Sequence, residues 1–147
     1  MSMNLKLADS RDDNAAAAAF HDWARNLGYK VTLRPDGAAV GIRGRYNFNA
    51  YFRCGTGMKR LIINCFFPSG SGPAEMAARC ELSNRINGAF NIGTFWFDKD
   101  GDFACQFVLT FDETLTPVLW RDFFDHVEAG VTQVIQHYSE DFKPFMA

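Results

Sequence analysis

Residues 91–112, NIGTFWFDKDGDFACQFVLTFD, constrain the fold more than any other stretch, because their pairing can be worked out residue by residue. Lys99, Asp100 and Gly101 form a three-residue turn in which Gly101 supplies the positive φ that a type I turn followed by a bulge demands. With that loop, Asp98 faces Asp102, Phe97 faces Phe103, Phe95 faces Cys105 and Gly93 faces Phe107. Side chains alternate along a strand, so these residues, with Leu109 and Phe111, point to one side. One face of the hairpin is then nearly all aromatic and aliphatic and must be covered. The helical segments before and after it in sequence are the covers at hand.

Fifteen phenylalanines in 147 residues extend this to the whole chain, whose core must rest on aromatic packing. A chain of this length buries roughly 70% of the surface its unfolded form would expose, enough for one domain without staples. The net charge of -2 argues against a protein held to nucleic acid by phosphate neutralisation. The cysteines at 54, 65, 80 and 105 show no CxxC pair and no zinc spacing, and read as buried free thiols of a reducing cytoplasm. The opening MSMNLKLADSRDD lacks the progression of a signal peptide, and no apolar run reaches membrane-spanning length. The expectation is a cytoplasmic protein with no membrane or nucleic-acid partner, no cofactor and no metal.

In chain order, residues 1–11 are polar and expected to be flexible, and a single domain fills 12–147. Asp12 or Asp13 caps a helix running to about Leu27, with Phe20, Trp23, Ala24 and Leu27 as its apolar stripe and Gly28 as its stop. Strands at 29–34 and 38–43 flank the turn Pro35-Asp36-Gly37. Residues 46–54 split cleanly, with Tyr46, Phe48, Ala50, Phe52 and Cys54 on one side and Asn47, Asn49, Tyr51 and Arg53 on the other. After a turn at 55–57, residues 59–67 are apolar on both sides, as a central strand is. Beyond a loop at 68–72, Pro73 and Glu75 open a second helix that ends near Asn87 with Gly88 as its stop. Its buried side reads as Met76, Cys80, Ser83, Ile86 and Phe90. Thr116 and Pro117 begin the longest helix, in which Trp120, Phe124, Val127, Val131, Val134 and Tyr138 recur at alternating steps of four and three. The fold class is α+β, a twisted antiparallel sheet of five to six strands with three helices on its aromatic face, in the order α-β-β-β(-β)-α-β-β-α.

No constellation identifies a reaction. Residues 98–102, DKDGD, resemble a calcium loop only superficially, since the glycine is misplaced and the closing glutamate is missing. Gly55-Thr56-Gly57 joins two strands and Gly70-Ser71-Gly72 lacks a lysine, so neither is a phosphate loop. His21, His126 and His137 have no nucleophile placed to use them, and no GxSxG elbow occurs. What is left is the second face of the sheet, where Asn47, Asn49, Tyr51, Arg53, Trp96 and Gln106 project opposite the core. A solvated face seldom carries tryptophan, tyrosine and arginine together unless a partner, a second copy or the N-terminal segment covers it. The plainer reading is a half-covered structural face with no partner.

Residues 82–102, LSNRINGAFNIGTFWFDKDGD, resemble the YbjN-domain family, described as "putative bacterial sensory transduction regulator". The matching features are the Asn84-x-x-Asn87 pair, the aromatic strand Phe95-Trp96-Phe97, and the turn holding Asp98, Asp100, Gly101 and Asp102. The element order over about residues 12–140 also fits. Asn84 and Asn87 read as ties from the helix end to the next strand by side-chain to backbone hydrogen bonds. The resemblance implies a fold similar to type III secretion chaperones, often dimeric, with no enzymatic activity. The functional expectation is a non-enzymatic bacterial cytoplasmic regulatory or chaperone-like protein that binds other proteins, or forms a homodimer. Its contact surface would be Asn49, Tyr51, Arg53, Trp96 and Gln106, or the last helix. The rivals are a single-stranded RNA binder using the aromatic sheet face and an enzyme with dispersed catalytic residues.

Overall fold

The hairpin forms in the register its turn dictates. Phe97 pairs with Phe103 and Phe95 with Cys105. The Asp98 N–H donates to the Asp102 carbonyl at 2.9 Å, and Gly101 turns the chain with φ +82°. The Asp98 carboxylate, inside the turn, accepts from the N–H groups of Asp100 and Asp102, both at 2.9 Å. Those two bonds hold the turn closed.

The computed structural model describes residues 5–6, 13–37, 39–44, 48–55, 60–67, 76–111 and 114–145. The elements are β1 (Leu5–Lys6), α1 (Asp13–Asn26), β2 (Val31–Leu33), β3 (Val40–Arg43), β4 (Asn49–Gly55), β5 (Arg60–Phe67) and α2 (Met76–Ala89). They continue with β6 (Thr94–Phe97), β7 (Phe103–Thr110), β8 (Thr114–Leu115), α3 (Pro117–His137), α4 (Ser139–Phe142) and a 3-10 turn (Lys143–Phe145). Six strands form one antiparallel sheet in the order β2-β3-β4-β5-β7-β6. A two-stranded ribbon, β1 with β8, lies outside it. Part of the segment expected to be flexible is therefore paired, Leu5 opposite Leu115.

The sheet's inner face carries Phe52, Leu61, Ile63, Cys65, Phe95, Phe103, Cys105 and Phe107, all buried. The periodic stripe of α3 meets it, and Trp120, Phe124, Val127, Val131, Val134 and Tyr138 are all buried. Thr116 caps that helix, its Oγ1 accepting from the Leu119 N–H at 3.1 Å, and Pro117 follows at the first helical position. Trp120 packs 4.7 Å from Phe52 and 6.2 Å from Phe20 of α1, ring centre to ring centre. These aromatic contacts lock α1 and α3 onto the same face.

α2 lies against β6, the sheet's edge. Only Arg79, Leu82, Ser83 and Ile86 are buried in it. Met76 and Cys80, assigned to the inward side from periodicity, are exposed, and Gly88 lies inside the helix instead of stopping it. The helix is turned so that Arg79, only 2% exposed, points inward. Its guanidinium stands 5.6 Å from the Phe97 ring centre and 4.8 Å from that of Phe145. A planar cation between two rings supplies the attraction that brings a nominally polar residue inside. Leu27 is likewise 44% exposed, in the turn after α1. The expected features at Asp12, Ala38, Tyr46, Asn47, 56–59, 68–73 and Glu75 lie outside the described residues.

Asn87 is the other hold between α2 and the sheet. Phe95 pairs with Cys105 at a position where its own N–H and C=O point away from β7, toward the open edge. Both groups are taken by one side chain: the Phe95 N–H donates to Asn87 Oδ1 at 2.8 Å, and Asn87 Nδ2 donates to the Phe95 carbonyl at 2.7 Å. Asn87 thus takes the place of a neighbouring strand. Asn84 is exposed one turn earlier, and the pairing with β6 is made by Asn87.

Two outcomes are expected. Asn87→Ala strands a buried donor and acceptor and lowers unfolding free energy by about 2 kcal/mol in urea titration. Asn87→Asp, which can accept but not donate, recovers part of that, and a change under about 0.5 kcal/mol for the alanine variant would remove the edge-sealing role. The second concerns Cys105, opposite Cys65 on the neighbouring strand. Burial first, and then its hydrogen bond with Cys65, push its thiol well above the usual range. The unfolded chain releases that proton near pH 8.5 while the folded protein keeps it, so stability falls as pH rises past about 8.5. Denaturant midpoints at pH 7.5 and 10 should therefore differ less for Cys105→Ala than for the natural chain.

Candidate functional site

With α1 and α3 on the inner face, the outer face of the sheet carries the surface chemistry. Alternation places Asn49, Tyr51 and Arg53 of β4 there, with Gln106 of β7 and Trp96 of β6. Register sorts them into rows across the strands. One row runs Arg43, Asn49, Phe66, Ala104, Trp96; the next runs Thr32, Gly41, Tyr51, Asn64, Gln106. Arg53, Ile62 and Val108 form a third. The five expected residues share a face but not a single spot. Trp96 sits three strand spacings from Asn49, roughly 14 Å.

The β4 half holds the relief. Two open hollows of about 910 and 510 Å³ meet at Tyr51 and Arg34. The larger is lined by Lys30, Thr32, Arg34, Gly41, Arg43 and Tyr51 among others, and the smaller adds Arg53, Asn64 and Phe66. Gly41 makes the floor. A Cβ there would stand 3.1 Å from Tyr51 Cε1, so the bare position lets the tyrosine ring lie close across β3. Phe66 braces the same ring edge-on at 6.1 Å between centres. Asn64 is held by Gln106, whose Nε2 donates to Asn64 Oδ1 at 2.9 Å, and Arg43 Nη1 donates to Asn49 Oδ1 at 3.3 Å.

Charge is segregated. None of the six sheet strands contains an aspartate or glutamate. Among the described residues no carboxylate, imidazole or thiol lines either hollow, whereas Lys30, Arg34, Arg43 and Arg53 do. The nearest acid in sequence, Asp36, stands 3.6 Å from Arg34 with both side chains more than half exposed, a pairing that water and salt weaken. Acidic side chains sit instead in the hairpin turn and on the outer flank of α3 and α4, at Asp122, Asp125 and Glu140. A chain of net charge -2 therefore presents a cationic sheet face.

Sequence reasoning placed Asn49, Tyr51, Arg53, Trp96 and Gln106 on this face but missed Lys30, Arg34, Gly41, Arg43, Asn64 and Phe66. The turn at Pro35-Asp36-Gly37 held a usable signal, since it sets Thr32 opposite Gly41 and so puts Lys30, Arg34 and Arg43 on one surface. Among the described residues no three His, Cys, Asp or Glu side chains gather as a metal site would need, and no helix is long and apolar enough to cross a membrane. His21 stands 3.5 Å from its neighbour Asp22, and His126 and His137 are exposed on α3, away from both hollows. Nothing here assembles a nucleophile with its base.

Comparison with known proteins sets this geometry in context. A family model described as "Putative bacterial sensory transduction regulator" matches residues 16–140. A solved structure described as "Crystal structure of YbjN, a putative transcription regulator from E. coli" has a similar fold, with a TM-score of 0.65 at 14% identity, covering 84% of this chain and 91% of that one. Comparison with curated proteins found no match. With a family model spanning most of its length, and the sheet and helices in the matching order, the chain belongs to the YbjN family.

Proposed function

We propose that the chain is a non-enzymatic, cytoplasmic regulatory protein that acts by binding other proteins through the outer face of its sheet. The observation that carries this reading is the segregation just described, half-buried aromatic and exposed cationic side chains gathered on one face whose described strands carry no carboxylate. A catalytic cleft would combine concavity with titratable groups of matched pKa. The two hollows have the concavity, but among the described residues no carboxylate, imidazole or thiol lines them. A binding surface needs rigid aromatic and arginine anchors set on regular elements, and Tyr51, Arg53 and Trp96 stand on strands of one continuous sheet. The four free cysteines, three of them buried, agree with a reducing compartment.

The face does not suit a two-fold dimer. A two-fold pairing through it would lay one cationic surface against another, and like charges brought together across an interface are costly. A homodimer of this chain would use a different surface, the flank of α3 being the alternative. The single-stranded RNA reading shares the aromatic and basic residues, and the protein of similar fold is described as "a putative transcription regulator". Against it, the order α-β-β-β-β-α-β-β-α is not the βαββαβ arrangement of sheet-type RNA modules, and the chain is acidic overall.

The double variant Arg53→Ala with Trp96→Ala leaves core residues untouched and should keep the far-ultraviolet circular dichroism of the natural chain. In affinity capture from the native organism it is expected to lose its partners by about ten-fold or more, as removal of interface anchors does. A folded double variant that retains every partner removes this face from consideration.

A further inference from the structure

The two edges of the sheet are finished differently. At β6 the outward N–H and C=O of Phe95 are occupied by Asn87. At the opposite edge, the Arg43 N–H donates to the Lys30 carbonyl at 3.2 Å and the Arg34 N–H to the Ala39 carbonyl at 3.1 Å. Lys30, Thr32 and Arg34 therefore turn their backbone toward β3, and alternation turns the N–H and C=O of Val31 and Leu33 outward. Among the described residues no strand lies beside β2. Thr32 is exposed and the Leu33 side chain is 43% exposed, so the edge is open to solvent. It also borders the larger hollow, which Thr32, Lys30 and Arg34 line.

We propose that β2 is an acceptor edge for an extended acidic peptide segment of a partner protein, which adds a seventh strand to the sheet. This rests on the protein-binding reading above and names the chemistry of the partner. In antiparallel pairing centred on Thr32, the added residues opposite Lys30 and Arg34 project onto the outer face beside those cations, where carboxylates fit. The residues opposite Val31 and Leu33 project to the inner side, next to the half-buried Val31 and the exposed Leu33, where apolar side chains fit. The recognised pattern is thus acidic, apolar, any, apolar, acidic, held by the backbone groups of Val31 and Leu33. In the register centred on Thr32 a second copy of the same edge is disfavoured, because Lys30 of one chain would face Arg34 of the other.

The test uses the full chain and a fluorescein-labelled peptide GSEVTVESG, with GSKVTVKSG and an oligouridine as comparison probes, read by fluorescence anisotropy at low and high salt. Expected is saturable binding of the acidic peptide alone, weakened by salt. Arg34→Glu should reduce affinity by about ten-fold or more. Leu33→Pro removes an outward N–H that no sheet hydrogen bond uses, a position where edge strands accept proline, and should have a similar effect. If Leu33→Pro disturbs the circular dichroism, Arg34→Glu and Lys30→Glu carry the test. Equal binding of the basic peptide, binding of oligouridine in preference to peptide, or no binding of any probe overturns the acceptor edge. Peptide binding that survives Leu33→Pro and Arg34→Glu yet is lost in Trp96→Ala also overturns it, while leaving the broader sheet-face reading standing.

Discussion

Trp120 is the contact on which the layering depends. Its side chain is wholly buried and touches Phe20 and Trp23 of α1, Phe52 of β4 and Phe124 of its own helix. One residue thereby joins α1 and α3 to the sheet. The indole nitrogens of Trp23 and Trp120 are buried with no hydrogen-bond partner. Each such orphan donor costs about 1–3 kcal/mol, which the burial of a ring system worth several times a methylene offsets. The sequence therefore satisfies shape before polarity at this junction. Because Trp120 commits α1 and α3 to the same side and α2 packs against β6, none of these three helices covers the outer face, which carries Tyr51, Phe66 and the arginines.

What could be read from sequence was whatever obeys a short local period. The register of β6 on β7 followed from a three-residue turn, the α3 stripe from alternating steps of four and three, and the face of Asn49, Tyr51 and Arg53 from simple alternation. α2 resisted the same treatment because its orientation is set from a distance. Arg79 counts as polar in any periodicity, yet Phe97 and Phe145, the latter far along the chain, make a buried berth for its guanidinium. Cys80 and Met76 are displaced to the surface as a consequence. Arg79 also lies close against the hairpin tip, where a Cβ at Gly101 would stand 3.1 Å from its Nε. The glycine answers both to the turn and to that neighbour, and only the first demand is legible in the sequence.

The hollows were illegible for a related reason. They arise where three strands meet, and their floor is an absence, the missing side chain of Gly41 under the Tyr51 ring. In sequence Gly41 is a weak strand residue, and Lys30 and Arg34 are charges at strand ends, each ordinary alone. Only the register that sets Thr32 opposite Gly41 and Gly41 opposite Tyr51 gathers them. A site of this kind is recognised by what surrounds a small residue.

Charge gives that arrangement a direction. An edge strand that ends in cations resists pairing with its own copy in the register centred on Thr32, because that antiparallel match sets like against like. The protection is selective by construction: the repulsion that keeps Lys30 from Arg34 of another copy becomes attraction when the incoming strand carries carboxylates at the same two positions. β6 has no such option, since Asn87 fills the backbone sites an incoming strand would need at Phe95. One edge is closed by an amide and the other is guarded by charge. Of the two guards, only charge can be satisfied by a partner, which is why the asymmetry of the edges and the cationic surface belong to a single design.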